Sequence, residues 1–401
     1  MQQIKFILKH IVYFLLHILW IFPMNRRKIY FTSFHGARFS CNTKYLYLYI
    51  KETFPEKFLY VWEFIDHGKN VMAKADRTVR PSSLKAVIEA MTSAVIITNN
   101  DFSWWIPLRK NQILLQTWHG GGAYKKVGRD EKWGDVFQQE QSLMADRIGF
   151  YVSSCRKFTE VQSESKGVPQ GKFITTGMPR NAVFFDPARC ETLSRNARTA
   201  LFVQQSAKII LYAPTFRGTP VWKNDDTRDY GKIDFLKAKQ VCNEKFGGEF
   251  VVLYRAHHVD SNLKNSLPDF VIDATKYEDM QELLCAADVL VTDYSSSMWD
   301  FALTGKPCFL YAPDIDKYIA ERGFYTAPAT WPFPLARNED ALHENISRFD
   351  GEKYAAAVRK HLEDLGSYEN KDACRKVCEA IGIFNDNSNA LCRSGGKENA
   401  Q

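Results

Sequence analysis

The sequence predicts an α/β protein made of two open, parallel sheets, each belonging to a Rossmann-like half. Three observations lead there. Short β-branched and aromatic runs alternate with longer stretches of helical period, as strand–helix–strand units require. They fall into two series, separated at 186–207 (DPARCETLSRNARTALFVQQSA) by a stretch that reads as helix and linker. The composition, 45% hydrophobic and 25% charged over 401 residues, suits a folded chain of two large domains and excludes a disordered or collagen-like one.

The first series is KIYFTSF (28–34), FLYVWEF (58–64), AVIITNN (94–100), QILLQTW (112–118), RIGFYVSS (147–154) and KFITTG (172–177). The second is KIILYAP (208–214), EFVVLYRAH (249–257), FVIDA (270–274), DVLVTDY (288–294) and PCFLYAP (307–313). A boundary near residue 200 follows, giving an N-terminal Rossmann-like domain at 25–200 and a C-terminal one at 201–384, with a cleft between them. The stretch 385–401 is rich in Asn, Gly and Ser with almost no apolar content, and its composition predicts disorder.

Residues 1–24 form a separate element. The apolar stretch Ile4–Pro23 has its densest run, IVYFLLHILWIF, at 11–22, shorter than the ~20 residues a bilayer crossing needs. Lys5, Lys9, Tyr13 and His17 recur every fourth residue and make one polar stripe, followed by Arg26, Arg27 and Lys28. That pattern predicts a helix lying on a membrane surface, its basic flank at anionic headgroups. A buried core helix and a signal or anchor segment are the competing readings; no small-residue cleavage site follows.

Lys plus Arg number 53 against 46 acidic residues, a net charge of +7 that favours anionic substrates or lipids without marking a nucleic-acid binder. The nine cysteines are scattered and form no CxxC pair, so neither a disulfide framework nor a zinc site fits, and a reducing cytosolic compartment is implied. The acidic pairs DID (314–316) and NDD (224–226) are too sparse for a divalent-metal site, and none is assigned.

Three constellations sit where open α/β sheets place ligands, beyond strand carboxyl ends. In QTWHGGGAYKKVG (116–128), Gly120 and the glycines after it let backbone approach a ligand, and His119 is a candidate general base; a tight turn with a backbone-bonded histidine is the alternative. In VVLYRAHH (251–258), alternation along a strand puts Arg255 and His257 on one face, a guanidinium and an imidazole suited to phosphate oxygens or, alternatively, a surface cap. In ADVLVTDYSSSMWDFALTGKPCFLYAPD (287–314), Ser295, Ser296 and Ser297 fall at a helix start, where amides and hydroxyls bind a phosphate or merely cap. Arg217, in TFRGTP after a strand end, is divided between substrate contact and loop structure.

Taken in order, WHG (118–120), TGMPRN (176–181), LYAPTFR (211–217), YRAH (254–257), LLCAADVLVTDYSSSMWDFALTGKP (283–307) and YAPDIDKYIAERGFY (311–325) resemble the CDP-glycerol glycerophosphotransferase family of teichoic-acid primases and polymerases. The likeness covers about 25–380. It implies a GT-B-like fold, an acceptor domain followed by a nucleotide-donor domain, and catalytic histidines at His119 and His257. It also implies donor phosphate binding at Ser295 and Ser296. The expected reaction moves glycerol phosphate, or a similar polyol phosphate, from a CDP-activated donor to a hydroxyl of a membrane-linked envelope glycan, teichoic acid or capsule polymer, releasing CMP. Arg255, Ser297, Gly120 and Arg217 are expected to help hold the donor. No cofactor or nucleic-acid partner is expected, and the site of action is the cytoplasmic face of the cell membrane. A sugar-nucleotide glycosyltransferase or epimerase, and a silent membrane scaffold, are the rival readings. GGAYKK after WHG and Ala256 before His257 depart from the family pattern and bear on which polyol and acceptor are used.

Overall fold

Each of the two series closes into one parallel sheet, in a computed structural model that describes residues 2–131, 134–215, 233–256 and 267–384. The first sheet contains β1 (Asn25–Thr32), β2 (Leu59–Glu63), β3 (Arg77–Val79), β4 (Ser93–Thr98), β5 (Ile113–Gln116), β6 (Phe150–Val152) and β7 (Phe173–Ile174). Its order is β3-β2-β1-β4-β5-β6-β7. The second contains β8 (Lys208–Tyr212), β9 (Phe250–Tyr254), β10 (Val271–Asp273), β11 (Val289–Thr292), β12 (Cys308–Tyr311) and β13 (Leu335–Ala336), ordered β10-β9-β8-β11-β12-β13. Every strand pair within the two sheets is parallel.

The central strands explain themselves. SAVIIT of β4 is buried at every position, and so are ILLQ, VLVT and CFLY of β5, β11 and β12. A parallel sheet covered by helices on both faces needs this continuous apolar run rather than alternation. Aromatic rings fill the first core: Phe31 stacks on Trp62 at 5.4 Å, and Trp62 on Phe64 at 5.3 Å. The second core joins Tyr212, Val252, Val291 and Phe309 to Val241 and Cys242 of helix Phe235–Phe246.

Both sheets wind the same way. The chain builds outward from the first strand (β1 to β3, β8 to β10), then returns to the other side (β4, β11). The order therefore reverses between β1 and β4 and between β8 and β11, and such reversal points open a crevice at the strand carboxyl ends.

Two short edge strands, β3 and β13, have no counterpart among the expected runs. The expected strand at 249–257 stops at Tyr254, where pairing with β10 ends at Asp273. The Ala256 amide then turns to the Thr275 hydroxyl at 3.1 Å. Arg255 thus follows the strand, and the alternation argument that paired it with His257 does not apply; His257 itself lies outside the described residues.

The compact units also divide differently from a single cut near 200. One unit holds residues up to His119, Val127–Ala182 and the chain from Ser367 onward; the other holds Gly120–Lys126 and Val183–Gly366. Helix Pro187–Ala200 goes with the second unit because Arg198 donates to the Ala207 and Ala286 carbonyls. Helix Ala373–Ala380 goes with the first, where it packs on helix Cys41–Thr53.

The N-terminal helix, Gln2–Leu16 continued by a 3-10 turn His17–Ile21, is long and apolar enough to cross a bilayer by length and composition. One of its faces rests on the first unit. Lys9 pairs with Glu140 at 2.5 Å, Phe6 and His10 meet the Trp104 ring, Tyr13 lies against Arg147, and Leu16 and Leu19 pack on Val87, Met91 and Ile106. Ile4, Ile7, Leu8, Ile11, Phe14, Leu15, Ile18 and Ile21 are exposed instead. Of the polar stripe, Lys9 and Tyr13 turn to the protein, where they find a carboxylate and a guanidinium, while Lys5 remains exposed.

Candidate active site

In the first unit the site grows from the ends of β1, β4 and β5. Thr117 is tied to the end of β4 by its amide and hydroxyl, which reach the Thr98 carbonyl at 2.8 and 3.0 Å. Trp118 then adopts a left-handed backbone, φ 54°, and the buried Asn42 amide grips the Thr117 and Trp118 carbonyls at 3.0 Å each. This fold-back brings the His119 ring to the first residue beyond β4, where Nδ1 lies 2.8 Å from the Asn99 carbonyl.

A carbonyl only accepts, so Nδ1 carries the proton and Nε2 keeps its lone pair. Burial pushes the imidazole down to about 4, and the Arg180 and Lys166 charges act in the same direction. His119 is therefore neutral at pH 7, with its accepting nitrogen in the tautomer a general base requires. Its ring stacks on Trp118 at 4.5 Å, and the Lys166 ammonium stands 4.4 Å from the Trp118 ring centre. Arg180, from the TGMPRN segment, is buried and reaches Cys41 Sγ at 3.2 Å.

Four non-glycine residues of this region, Phe34, His35, Cys41 and Trp118, have positive φ. Each costs on the order of 1–3 kcal/mol, and such strain concentrates at functional sites. Sequence reasoning overlooked this β1 and β4 margin. The readable signal was polar residues directly after an apolar run: SFH at 33–35 and NND at 99–101.

In the second unit, the reversal point between β8 and β11 carries the serine turn. Asp293 is buried, and both its oxygens accept the Thr215 amide at 2.9 Å, fastening the chain after β8 to the chain after β11. Ser297 donates to Ser295 Oγ through its hydroxyl at 3.0 Å, with its amide at 3.3 Å, and opens helix Ser297–Ala302 as the sequence predicts. Ser295 and Ser296 are half-buried while Ser297 is buried. Arg255 follows β9, next to β8; its amide donates to the Tyr212 carbonyl at 2.9 Å and Nη2 reaches the Glu278 carbonyl at 3.4 Å. Arg255, Thr215 and the serine turn thus follow three adjacent strands. Arg217 lies outside the described residues.

Two of the glycines after His119 lie against a side chain of the protein itself. A Cβ on Gly121 would collide with Trp299 Cδ1, and one on Gly122 (φ +63°) would stand 2.9 Å from the same indole. Their close approach is to the protein's own buried Trp299, two residues beyond Ser297. The rest of the segment is strapped to 322–326 by Tyr325 N to the Tyr124 carbonyl (2.7 Å), Lys126 N to the Gly323 carbonyl (3.2 Å) and a bridge between Lys125 and Phe324. Tyr124 donates its hydroxyl to His361 Nε2 at 2.9 Å; burial pushes that histidine down to about 4. Gly120, half-buried, begins this segment directly after His119.

The carboxylates of DID are otherwise engaged: Asp314 accepts the Tyr294 hydroxyl and Asp316 pairs with Arg337, both within 2.9 Å. NDD lies outside the described residues, and no disulfide joins the described cysteines.

Residues 14–382 match the family described as CDP-glycerol:poly(glycerophosphate) glycerophosphotransferase. The chain belongs to this family. It is 28% identical over 399 residues to the teichoic acid glycerol-phosphate transferase of Staphylococcus aureus, covering 95% of this chain and 99% of that one. It is also 28% identical to a teichoic acid poly(glycerol phosphate) polymerase of Bacillus spizizenii, covering 95% and 98%. The solved wall teichoic acid polymerase TagF superposes with a TM-score of 0.78 at 25% identity, covering 95% of this chain and 97% of that one. The glycerophosphotransferase is thus an enzyme with a GT-B-like architecture that moves polyol phosphate from a CDP-activated donor. Family membership decides against both the sugar-nucleotide readings and the silent scaffold.

Proposed function

We propose that this transferase adds glycerol phosphate, or a closely similar polyol phosphate, to the hydroxyl end of a lipid-linked teichoic-acid chain, with His119 as general base. The acceptor hydroxyl gives its proton to Nε2 while its oxygen attacks the donor's β-phosphorus in line. A P–O bond forms to the acceptor, the bond to CMP breaks, and CMP leaves as an anion. A phosphate monoester has its second pKa at about 6, so the leaving group needs charge stabilisation more than a proton. Arg255 and the hydroxyls and amides of the 295–297 turn are assigned that task, which is typically the largest catalytic contribution. The chemistry calls for no redox cofactor. His257 and Arg217 stay candidates for the same phosphates through the family resemblance.

The observation that carries this reading is the His119 ring, with Nδ1 held 2.8 Å from the Asn99 carbonyl, which leaves Nε2 to accept a proton. The test is kinetic. His119→Ala should lower turnover by about 10²–10⁴ while CDP-glycerol affinity, read by calorimetry, changes little. Near-wild-type turnover removes His119 from the mechanism. The double substitution Ser295→Ala/Ser296→Ala should do the opposite, weakening donor binding by about 10–100-fold through loss of hydrogen bonds to charged oxygens. Unchanged donor affinity rejects the phosphate assignment.

The N-terminal helix suits peripheral attachment at the cytoplasmic face. Its outer face is apolar and its inner face is already engaged with protein, the arrangement of a helix embedded to one side of a bilayer.

A further inference from the structure

We propose that His35 and Asn100 form a subsite for the terminal unit of the acceptor, a hydroxylated phosphodiester, and so help decide which acceptor is used. The inference rests on the reading of His119 as the base that takes the acceptor's proton.

Position is the first argument. His35 follows β1 and Asn100 follows β4, so the pair bridges the point where the strand order of the first sheet reverses. Ligands of open α/β sheets bind in the crevice at that point. The His119 loop leaves from β5, the strand beside β4.

Strain is the second. Phe34 (φ 48°), His35 (φ 53°) and Gly36 (φ 80°) are three left-handed residues in a row. The turn is pinned from within: the Phe34 amide donates to Asn99 Oδ1 at 2.8 Å, and Asn99 Nδ2 reaches Ser33 Oγ at 3.3 Å. Gly36 leaves no room for a side chain, since a Cβ would stand 2.8 Å from Pro81 Cγ. The result is an exposed imidazole held in an unfavourable backbone conformation, with no apolar burial to offset the cost.

The pair also has spare hydrogen-bonding capacity. The Asn100 amide nitrogen lies 3.3 Å from His35 Nε2. With the amide donating, His35 keeps its proton on Nδ1, a donor suited to a phosphate or hydroxyl oxygen. Asn100 Oδ1 is buried and has no hydrogen-bond partner among the described residues, leaving an unmet acceptor next to the exposed His35 ring.

Recognition and chemistry then share one stretch of backbone. The Asn99 carbonyl orients His119 and the next side chain, Asn100, contacts His35; Phe34, beside His35, has its ring 5.6 Å from that of His119. A hydroxyl end held by the pair is within a residue's reach of the proposed base.

The experiment uses the full chain, CDP-glycerol and a synthetic lipid-linked glycerol-phosphate primer in detergent. His35→Ala should raise the primer KM at least tenfold, leaving the donor KM and the slow release of CMP to water within twofold; His35→Gln, which restores an N–H donor, should recover most of the loss. Asn100→Ala should follow His35→Ala. A primer KM unchanged in both alanine variants, or a parallel rise in donor KM, overturns the proposal. Primer binding without donor, read by thermophoresis, separates this from the function reading. A tenfold loss in His35→Ala supports the subsite even if His119→Ala were to keep its turnover, and undiminished primer binding rejects it.

Discussion

At the scale of single residues, the decisive feature is how His119 is kept neutral. Burial is the largest influence, opposed by the hydrogen bond to Asn99, and the neighbouring cations Arg180 and Lys166 add to the burial effect. In the role proposed for His119, a base with a pKa of about 4 is always ready at neutral pH but has little affinity for a proton, whereas general-base catalysis works best near the operating pH. In the proposed mechanism an anionic donor bound beside the imidazole would supply the remedy, because negative charge there favours its protonated form. The two pH profiles should therefore differ. The acid limb of kcat/KM, which reports the free enzyme, should lie near pH 4, and the acid limb of kcat, which reports the complex, at higher pH. Coincident limbs in both profiles would argue against donor tuning of this histidine.

At the scale of elements, sequence and structure agree where apolar period is strong and part where partners are chosen. The GGG triplet is a case in point. Its glycines were legible as a place of close backbone approach, but the approaching group, Trp299, stands 178 positions away from Gly121 and only folding brings the two together. The N-terminal helix is another. Its amphipathic period was readable, yet the side left exposed depended on finding Glu140, Trp104 and Arg147 across from Lys9, His10 and Tyr13. The prediction belongs to this element: Phe14→Glu/Ile18→Glu, at positions 69% and 71% exposed, should leave the melting temperature unchanged. Each side chain loses about 1.5–3 kcal/mol of apolar burial, so partitioning onto anionic vesicles should fall at least ~100-fold. Retained cosedimentation would mean that another surface carries attachment.

At the scale of the whole molecule, the two units share one winding rule, and each presents its polar residues at the reversal point: His35 and Asn100 in the first sheet, Thr215 and Asp293 in the second. The chain also leaves and re-enters the first unit, whose last helix comes from after Ser367. There Glu369 accepts the Met178 amide and the Asn181 side chain at 2.9 and 3.1 Å, and Val377, Ile381 and Ile383 are buried. Ending the chain at Gly366 should thus destabilise a unit built almost wholly from residues before 183. Losing those three apolar side chains alone removes about 4–9 kcal/mol of burial, a drop in melting temperature of at least ~10 °C. Scanning calorimetry of the truncated chain checks it, and an unchanged first transition would show the returning segment to be dispensable.

Taken by itself, the sequence determined what local pattern can encode: alternating elements of two parallel sheets, most strands to within a few residues, an amphipathic N-terminal helix, and the reactive segments at strand ends. Apolar period and turn chemistry are properties of neighbours along the chain. Tertiary structure alone decided which strands lie side by side, that burial lowers the proton affinity of His119 against the opposing hydrogen bond to Asn99, and that His35 meets Asn100 across 65 residues. These depend on desolvation and on contacts between distant segments, which no local period records.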